Sequence, residues 1–456
     1  MSNRKIKLIL LVWGDVVLLY GALLASLILR YANYNDTPPI PQHYLPFSII
    51  FAFWLIIFGA FGLYDFRFIK NSKQFIYRLL RAMATNTVLA ALILYTFIPA
   101  FEIEPRRNLI LIALTATIFI FIWRYLFNLL IIRAPAARVL FFGINQDSKE
   151  LADYLLKNPQ LGYRPVAFMA IEGGEKMGPL PLPHFTSQQN LIEIIQNFGI
   201  DTVVISREIK ENRTLVAVLF QVIPLGVAVL EFPTFYEMNT GRIPLSLIGE
   251  VWFLENLVGI RKNLYEFFKR GLDIVLVLLL AIPCILLFPI IALAIKIDSK
   301  GPVFFWQRRV GKGGKEFGLV KFRSMIKDAE SLNGLKGSGR DSRHTSIGSF
   351  LRKNYADELP QIFNILRGDM SFIGPRPERP EYIRGLKLKI PFYEMRLLVP
   401  PGITGWAQIN MENDASVEDA PEKMQYDLYY IKNRSLILDL LIMLKTVFTI
   451  LRREGR

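Results

Sequence analysis

The chain has 456 residues, of which 52% are hydrophobic, and 54 Lys or Arg against 39 Asp or Glu leave a formal charge of +15. This apolar content, with 34 Phe, indicates bilayer-embedded segments and excludes disordered and fibrous proteins. The single cysteine, Cys284, excludes an intrachain disulfide and a cysteine-based zinc site.

Four runs in the first third are long and apolar enough to cross the ~30 Å hydrocarbon core of a bilayer. They cover residues 8–29, 44–63, 82–101 and 108–132. We therefore predict an α-helical membrane domain of four spans over residues 1–135. The segment between the second and third runs is rich in basic residues, so the positive-inside rule places both ends of the domain in the cytoplasm. These basic residues are Arg67, Lys70, Lys73, Arg78 and Arg81.

Two charged residues fall inside these runs. No ionisable partner stands out for Asp15, so we expect a packing or interfacial role for it and assign it no chemistry. Arg124 lies near one end of the fourth run, and we expect its long side chain to reach the membrane interface.

Residues 136–233 alternate short β-rich runs with helical segments, which predicts a parallel, Rossmann-like α/β domain. A dinucleotide site would need glycines in the first strand-to-helix turn, yet Gly143 is followed by Ile-Asn-Gln-Asp-Ser. We interpret the domain as a structural module and leave a regulatory ligand or an assembly surface open. Residues 234–265 read as a connector. The predicted strands cover residues 138–143, 165–171, 201–206 and 226–232, and the predicted helices cover residues 147–156 and 190–197.

A fifth apolar run, residues 274–295, is also long enough to span a membrane. Basic residues flank both of its sides, and Pro283 and Pro289 lie inside it, where each proline favours a bend. We predict a re-entrant helix over residues 269–297 with its kink at Pro283, anchored among membrane lipids. An ordinary kinked span is the alternative.

The segment from residue 300 to residue 399 has 20 Lys or Arg against 10 Asp or Glu. Such a basic domain next to a membrane segment indicates lipid head groups and a phosphorylated substrate as partners. We expect no nucleic-acid partner, because the chain has no RNA-binding aromatic motif, zinc finger or basic zipper.

Asp357 and Glu358 open a predicted helix, because Pro360 is tolerated only in a first turn. The free N–H groups there favour anions, so we expect an ionised, nucleophilic carboxylate. From spacing alone, an N-cap explains Asp357 as well as catalysis does. Nearby segments supply lysine and arginine groups suited to a pyrophosphate, and a carboxylate can hold the Mg²⁺ that usually accompanies one. These segments are Lys321–Met325, Asp341–Arg343, Arg352–Lys353 and Gly374–Pro377.

Taken together, the motifs of the last 190 or so residues resemble the bacterial sugar transferases, the monotopic phosphoglycosyl transferases that act on polyprenyl phosphate. Four N-terminal spans and a Rossmann-like module are similar to the long form of that family. The matching motifs are Lys-Arg-Gly-Leu-Asp at 269–273, Gly-Pro-Val-Phe at 301–304, Gln-Arg-Arg-Val-Gly at 307–311, Lys-Phe-Arg-Ser-Met at 321–325, Asp-Glu-Leu-Pro-Gln at 357–361, the segment from Gly368 to Pro377, and Pro-Gly-Ile-Thr-Gly-Trp at 401–406.

The resemblance implies an α/β catalytic domain over residues 266–456 that moves hexose 1-phosphate from a UDP-sugar to undecaprenyl phosphate and releases UMP. Asp357 would be the nucleophile that carries the sugar phosphate, and Glu358, with Asp357, would bind Mg²⁺. The implied substrate and phosphate contacts are Lys321, Arg323, Arg352, Gln361 and Arg376.

The chain departs from the family's pattern at two places: Ile282 stands where a serine often precedes the kink proline, and Tyr355-Ala356 replaces the usual Ser-Leu. The kink must therefore rest on Pro283. The product would be the first lipid-linked intermediate of an exopolysaccharide, capsule or O-antigen at the cytoplasmic face of the bacterial inner membrane. The spans and middle module offer surface for a homodimer.

Two other functions are weighed against this one. A membrane glycosyltransferase that releases UDP would normally hold its metal with Asp-x-Asp, which the chain lacks. A non-enzymatic sensor or scaffold would leave the Asp357-Glu358 pair unexplained. Residues 436–451 read equally as an interfacial amphipathic helix or as a packed terminal helix.

Overall fold

The computed structural model describes residues 2–31, 40–96, 105–171, 182–186, 190–257, 263–326, 343–411 and 419–451. The chain divides into two compact units, Met1–Thr240 and Gly241–Arg456. The motif segment around Asp341 and Ser342 lies outside the described residues.

The first unit begins with four long apolar helices, each long and apolar enough to cross a membrane. Their bounds overlap the four predicted runs. The third helix begins nine residues before its run, because the basic segment that precedes the run is helical as well. The helices are α1 (Ser2–Tyr31), α2 (Ile40–Ala60), α3 (Lys73–Thr96) and α4 (Pro105–Arg133).

The two charges in these helices form a buried ion pair, so the expectation that Arg124 reaches the membrane interface was wrong, and Asp15 has the ionisable partner that the sequence did not show. Arg124 is 1% exposed and Asp15 is fully buried. Arg124 Nε donates to Asp15 Oδ1 at 3.1 Å and Nη2 to Oδ2, while Nη1 donates to Leu63 O at 2.5 Å. The Tyr64 hydroxyl donates to Asp15 at 2.8 Å. Each charge is costly to bury alone, so α4 supplies the partner that the local sequence around Asp15 does not show.

The rest of the first unit contains a five-stranded, all-parallel sheet in the order β3-β2-β1-β4-β5, as the Rossmann-like prediction requires. Strand β3 was not predicted, because three residues carry no readable alternation. The strands are β1 (Ala137–Phe142), β2 (Tyr163–Ala170), β3 (His184–Thr186), β4 (Thr202–Ile205) and β5 (Ala228–Glu231). The helices of this part are α5 (Gln146–Lys157), α6 (Leu191–Phe198), α7 (Arg207–Glu211), α8 (Arg213–Phe220) and α9 (Phe232–Thr240).

The predicted connector is structured and divided between the two units. Helix α9 belongs to the first unit, whereas helix α10 (Glu250–Asn256) belongs to the second. Ile243, Phe253 and Leu257 lie in the core of the second unit. The apolar residues of this segment follow neither a helical nor a strand periodicity. Only the tertiary contacts show in which hydrophobic core they are buried.

The second unit combines helices with two small sheets. Strands β6 and β7 form an antiparallel ribbon, and β8 and β9 form a parallel pair. The strands are β6 (Phe304–Val310), β7 (Glu316–Phe322), β8 (Ser371–Ile373) and β9 (Gly402–Thr404). The helices are α11 (Asn263–Asp298), α12 (Ser346–Lys353), α13 (Ile362–Arg367), α14 (Pro380–Lys389), α15 (Trp406–Asn410), α16 (Ala420–Asn433) and α17 (Leu436–Leu451).

Helix α11 contains the fifth apolar run and continues as one helix through Pro283 and Pro289. Successive buried residues are 4, 4, 4, 7 and 11 positions apart, which is close to one, two or three helical turns and places them on one face. This face packs against the second unit near both ends and at its middle, while the other faces expose large apolar side chains. The buried residues are Tyr265, Lys269, Asp273, Val277, Cys284 and Ile295.

Helix α17 is packed on one side and exposed on another. Asp439 is buried and accepts hydrogen bonds from Lys269 Nζ at 3.0 Å and from the Tyr265 hydroxyl at 2.7 Å. Ile437, by contrast, is 82% exposed. The helix thus packs against α11 while keeping an apolar outer face.

Candidate active site

Asp357 and Glu358 lie in a 3₁₀ turn, Ala356–Gln361, that leads directly into α13. Pro360 lies inside this turn. The prediction that a helix begins here is correct, but its first turn is a 3₁₀ helix, which is wound more tightly than an α-helix. Tyr355 precedes the turn with φ +55°, a left-handed conformation that is uncommon for a residue with a side chain. The backbone therefore turns sharply just before the two carboxylates.

Glu358 lies between two cations. Lys321 Nζ, from β7, donates to Glu358 Oε1 at 2.7 Å, and Arg376 Nη2, from the loop after β8, donates to the same oxygen at 3.1 Å. Burial alone would raise the pKa of Glu358, but these two charges and their hydrogen bonds lower it to about 2. Glu358 is thus ionised at any physiological pH.

Asp357 has a different environment, although it is the adjacent residue. It is 7% exposed, and burial raises the pKa of its carboxyl above the ordinary value, with the Glu358 charge adding to the rise. Lys321 and Arg352 oppose this shift. Desolvation therefore raises the pKa of Asp357 by more than the nearby cations and the backbone N–H at the helix start lower it.

Arg352, at the end of α12, is the third predicted cation near the pair. It is exposed, and Nη1 donates to His344 Nε2 at 2.6 Å. His344 Nδ1 lies 3.2 Å from Ser324 O, so the ring donates to the carbonyl on one side and accepts from the guanidinium on the other. His344 was not singled out by the sequence, and no motif marked it.

Arg323 and Gln361 do not join this cluster by any described hydrogen bond. Arg323 Nη2 donates to Ser299 O at 2.6 Å and to Ser299 Oγ at 2.8 Å, just beyond the end of α11. Its Nε and Nη1 are buried without a hydrogen-bond partner among the described residues. Gln361 is 2% exposed at the end of the 3₁₀ turn. Their predicted phosphate contacts stay predictions.

The sequence missed a second group of charges behind Arg376. Arg396 Nη2 donates to Arg376 O at 2.9 Å, and Arg309 Nη1 donates to Pro377 O at 2.8 Å. Lys423 Nζ donates to Glu378 at 2.7 Å. These residues are distant along the chain, and no spacing pattern links them. A small surface pocket opens beside them, lined by Val310, Gly311, Pro375, Arg376, Pro377, Glu378, Ile383, Arg396, Leu397, Val399 and Pro401.

The two carboxylates fit the predicted Mg²⁺ only in company with a substrate. The described residues contain no group of three or more His, Cys, Asp or Glu that could hold a metal ion. Mg²⁺ is, however, commonly bound by one or two carboxylates together with substrate phosphates and water. Both hydrogen bonds to Glu358 go to Oε1, so its Oε2 takes neither of them. Two carboxylates by themselves are therefore compatible with Mg²⁺ only where substrate phosphates and water complete its coordination.

Two protein-family models match the chain. The sequence model of the bacterial sugar transferase family matches residues 264–453, and a model described as a CoA-binding domain matches residues 59–233. The chain belongs to the bacterial sugar transferase family. With five helices of membrane-spanning length in the described ranges, it is a membrane protein.

Individual relatives carry names that describe sugar phosphate transfer. The chain is 44% identical over 224 residues to the UDP-N-acetylgalactosamine-undecaprenyl-phosphate N-acetylgalactosaminephosphotransferase of Aeromonas hydrophila, which covers 48% of this chain and 51% of that protein. It is 33% identical over 327 residues to the UDP-glucose:undecaprenyl-phosphate glucose-1-phosphate transferase of Xanthomonas campestris pv. campestris, an alignment that covers 70% of this chain and 67% of that protein. The Escherichia coli K12 enzyme of the same name is 34% identical over 263 residues, which are 57% of this chain and 56% of that protein. The chain thus matches between half and two thirds of the length of these relatives.

Proposed function

We propose that the chain transfers a sugar 1-phosphate from a UDP-sugar to undecaprenyl phosphate in two steps. The observation that carries this proposal is the pairing of a buried carboxylate, Asp357, with a neighbour, Glu358, whose charge is fixed by Lys321 and Arg376. The names of the relatives supply the substrate class. The product begins a surface polysaccharide.

In the first step, an Asp357 carboxylate oxygen attacks the β-phosphorus of the donor. The bond between that phosphorus and the bridging oxygen breaks, and UMP leaves with the electron pair. Burial makes Asp357 a poorly solvated and hence reactive carboxylate, while Lys321 and Arg352 keep its ionised form accessible. The sugar phosphate remains on Asp357 as an acyl phosphate.

In the second step, a phosphate oxygen of undecaprenyl phosphate attacks the same phosphorus. The Asp357 carboxylate leaves, which restores the enzyme and forms a lipid-linked sugar diphosphate. Neither nucleophile needs to lose a proton at neutral pH, so the site needs no general base. Arg376 and Lys321 are placed to bind phosphate oxygens beside Glu358.

Asp357 and Glu358 would hold Mg²⁺ together with the donor's diphosphate. When bound, the ion would neutralise charge on the diphosphate and favour departure of UMP.

We place the reaction at the cytoplasmic face of the inner membrane, because UDP-sugars are cytoplasmic. The contacts of α11 support a helix that does not cross. Near its start, Asp273 accepts from Ser371 Oγ at 3.1 Å, and at its end Asp298 accepts from the Ile347 amide at 2.9 Å. Both ends are thus tied to the unit that holds Asp357, which is the arrangement a re-entrant helix requires.

The test uses purified full-length protein with a radiolabelled UDP-sugar, undecaprenyl phosphate and Mg²⁺. We expect label in the lipid fraction with release of UMP, and a hydroxylamine-labile adduct on the protein when the lipid is omitted. Asp357→Asn should abolish both, because an amide cannot form the acyl phosphate. Release of UDP would indicate a glycosyltransferase instead, and an adduct on the Asn variant would contradict the role of Asp357.

A further inference from the structure

The segment that carries Arg376, residues 375–378, is held at its two ends by backbone donors from elsewhere in the second unit. Pro375 O accepts from the Gly402 amide at 3.0 Å, at the start of β9. Glu378 O accepts from the Val310 amide at 3.0 Å, at the end of β6. The outer carbonyls of the segment are therefore fixed to two different strands.

Two arginine side chains hold the carbonyls in between. Arg396 Nη2 donates to Arg376 O at 2.9 Å, and Arg309 Nη1 donates to Pro377 O at 2.8 Å. Four consecutive carbonyls are thus bonded to three separate parts of the unit, because Arg309 and Val310 are adjacent residues of β6. The prolines on either side of Arg376 have no N–H to donate, so the segment is fixed largely through these acceptors.

A charge network, buried at Arg396, Asp427 and Lys423 and partly buried at Glu378, keeps the two arginines in place. Glu378 Oε1 accepts from Lys423 Nζ at 2.7 Å and lies 3.8 Å from Arg396, while Glu378 Oε2 lies 3.9 Å from Arg309. Arg396 also pairs with Asp427 at 2.9 Å, and both side chains are almost fully buried. Arginines that balance buried carboxylates in this way have little freedom to turn away from the carbonyls they hold.

We propose that Arg309 and Arg396 are positioning residues that hold the Arg376 guanidinium against Glu358 and the donor's diphosphate. This inference rests on the proposed function. Neither arginine contacts the acidic pair by a described hydrogen bond, so each acts through the Arg376 backbone. A phosphate-binding side chain that is displaced by about 1 Å can cost up to 10²-fold in rate.

The test compares Arg309→Met with a matched control on the same strand, Arg308→Met. Arg308 is 80% exposed, faces the other side of the ribbon and pairs with Glu316 at the surface. We expect Arg309→Met to lower kcat/KM for the UDP-sugar by about tenfold or more, mainly through KM. Arg308→Met should behave as the parent does.

A double-mutant cycle with Arg376→Met separates positioning from general damage. If Arg309 acts through Arg376, adding Arg309→Met to Arg376→Met should lower kcat/KM less than twofold further. A purely structural defect would instead multiply the loss in both backgrounds. Arg396→Lys enters the same cycle as a second variant, because lysine keeps the positive charge but lacks the planar guanidinium that donates several hydrogen bonds. Thermal unfolding of each protein is measured alongside.

The outcomes are distinct. Coupled losses with an unchanged Arg308→Met support the positioning role. Equal losses in both backgrounds, or an active Arg309→Met, would overturn it while leaving the proposed function intact. A parent protein that transfers no sugar phosphate would overturn the proposed function and this inference together, and that result appears before any variant is made.

Discussion

At the scale of single residues, Asp357 and Glu358 show how neighbours in one turn acquire different chemistry. Glu358 accepts hydrogen bonds from two cations, and its pKa falls to about 2. Burial raises the pKa of Asp357. Two carboxylates whose pKa values are pushed apart by their surroundings are suited to different tasks. The tasks we assign are metal and cation binding for Glu358 and nucleophilic attack for Asp357.

Glu358→Gln tests the first assignment. An amide binds Mg²⁺ poorly and leaves Lys321 and Arg376 without their common anion, so we expect activity to fall about 10²-fold or more. Thermal unfolding should remain cooperative, which checks that the variant is folded. Full activity at ordinary Mg²⁺ concentrations would remove Glu358 from the site.

Arg352→Gln tests the electrostatic control of Asp357. Arg352 lowers the pKa of Asp357, so removing its charge must raise that pKa further, and the reactive carboxylate is then lost at a higher pH. We expect the acid limb of the kcat/KM profile to move to higher pH, with Arg352→Lys restoring the parent profile. Lys353→Gln, an exposed neighbour, serves as the control. An acid limb that stays in place, or moves to lower pH, would contradict this account.

At the scale of elements, helix α11 explains why three charged residues occur at 269–273. Lys269 pairs with Asp439, and Asp273 accepts from Ser371. Arg270 donates to Ile365 O at 2.6 Å and to Leu366 O, near the end of α13. Donors at the last carbonyls of a helix satisfy groups that have no intrahelical partner. The apolar helix is thereby joined to the helix that follows Asp357 and Glu358.

Residues 241–257 are the segment where the structure differs most from the sequence prediction, which described them as a connector. Trp406 Nε1 donates to Gly241 O at 3.0 Å, and the Ile243 amide donates to Gln425 O at 3.2 Å. Phe253 packs in the core of the same unit. The segment therefore belongs to the second unit.

A truncation series tests this assignment. We expect a fragment that starts at Gly241 to keep transferase activity, since all the proposed chemistry lies within it. A fragment that starts at Asn263 loses three or more buried side chains, and we expect its thermal midpoint to fall by several degrees or its activity to be lost. Equal stability of the two fragments would return residues 241–262 to the role of a connector. An inactive but folded longer fragment would give the first unit a part in catalysis.

At the scale of the whole molecule, the topology of α11 decides on which side of the membrane Asp357 lies. We expect replacement of Pro283 and Pro289 by leucine to favour a straight helix that spans the bilayer, because both backbone donors return and the steric clash with the preceding turn is removed. Cysteine labelling of intact cells reads the outcome. The background is Cys284→Ser with a single probe, Leu388→Cys, at a residue that is 91% exposed.

The parent should resist an impermeant thiol reagent, whereas the double proline variant should become labelled and inactive. The control is labelling after permeabilisation, which should modify both proteins equally. Labelling of the parent in intact cells would overturn the re-entrant topology and the cytoplasmic active site together.

The sequence by itself determined the membrane-length helices and the parallel sheet, and it singled out the acidic pair that we propose as the site. Long apolar runs predict membrane-length helices, because their composition alone sets their preference for lipid. The alternation of short β-rich runs with helical segments predicted four of the five strands of the sheet, because each of these strands can be recognised from neighbouring residues alone. Asp357, Glu358 and Arg376 stood out because they lie in short motifs punctuated by proline and glycine.

Only the tertiary structure decided how distant charges pair. Asp15 and Arg124 are 109 residues apart along the chain, and Arg396 lies far from Arg309, so no local pattern could join either pair. The direction of the Asp357 pKa shift likewise depends on burial, which is a property of the whole unit. Local periodicity is set by neighbours along the chain, whereas desolvation and long-range ion pairing are set by what the fold brings together.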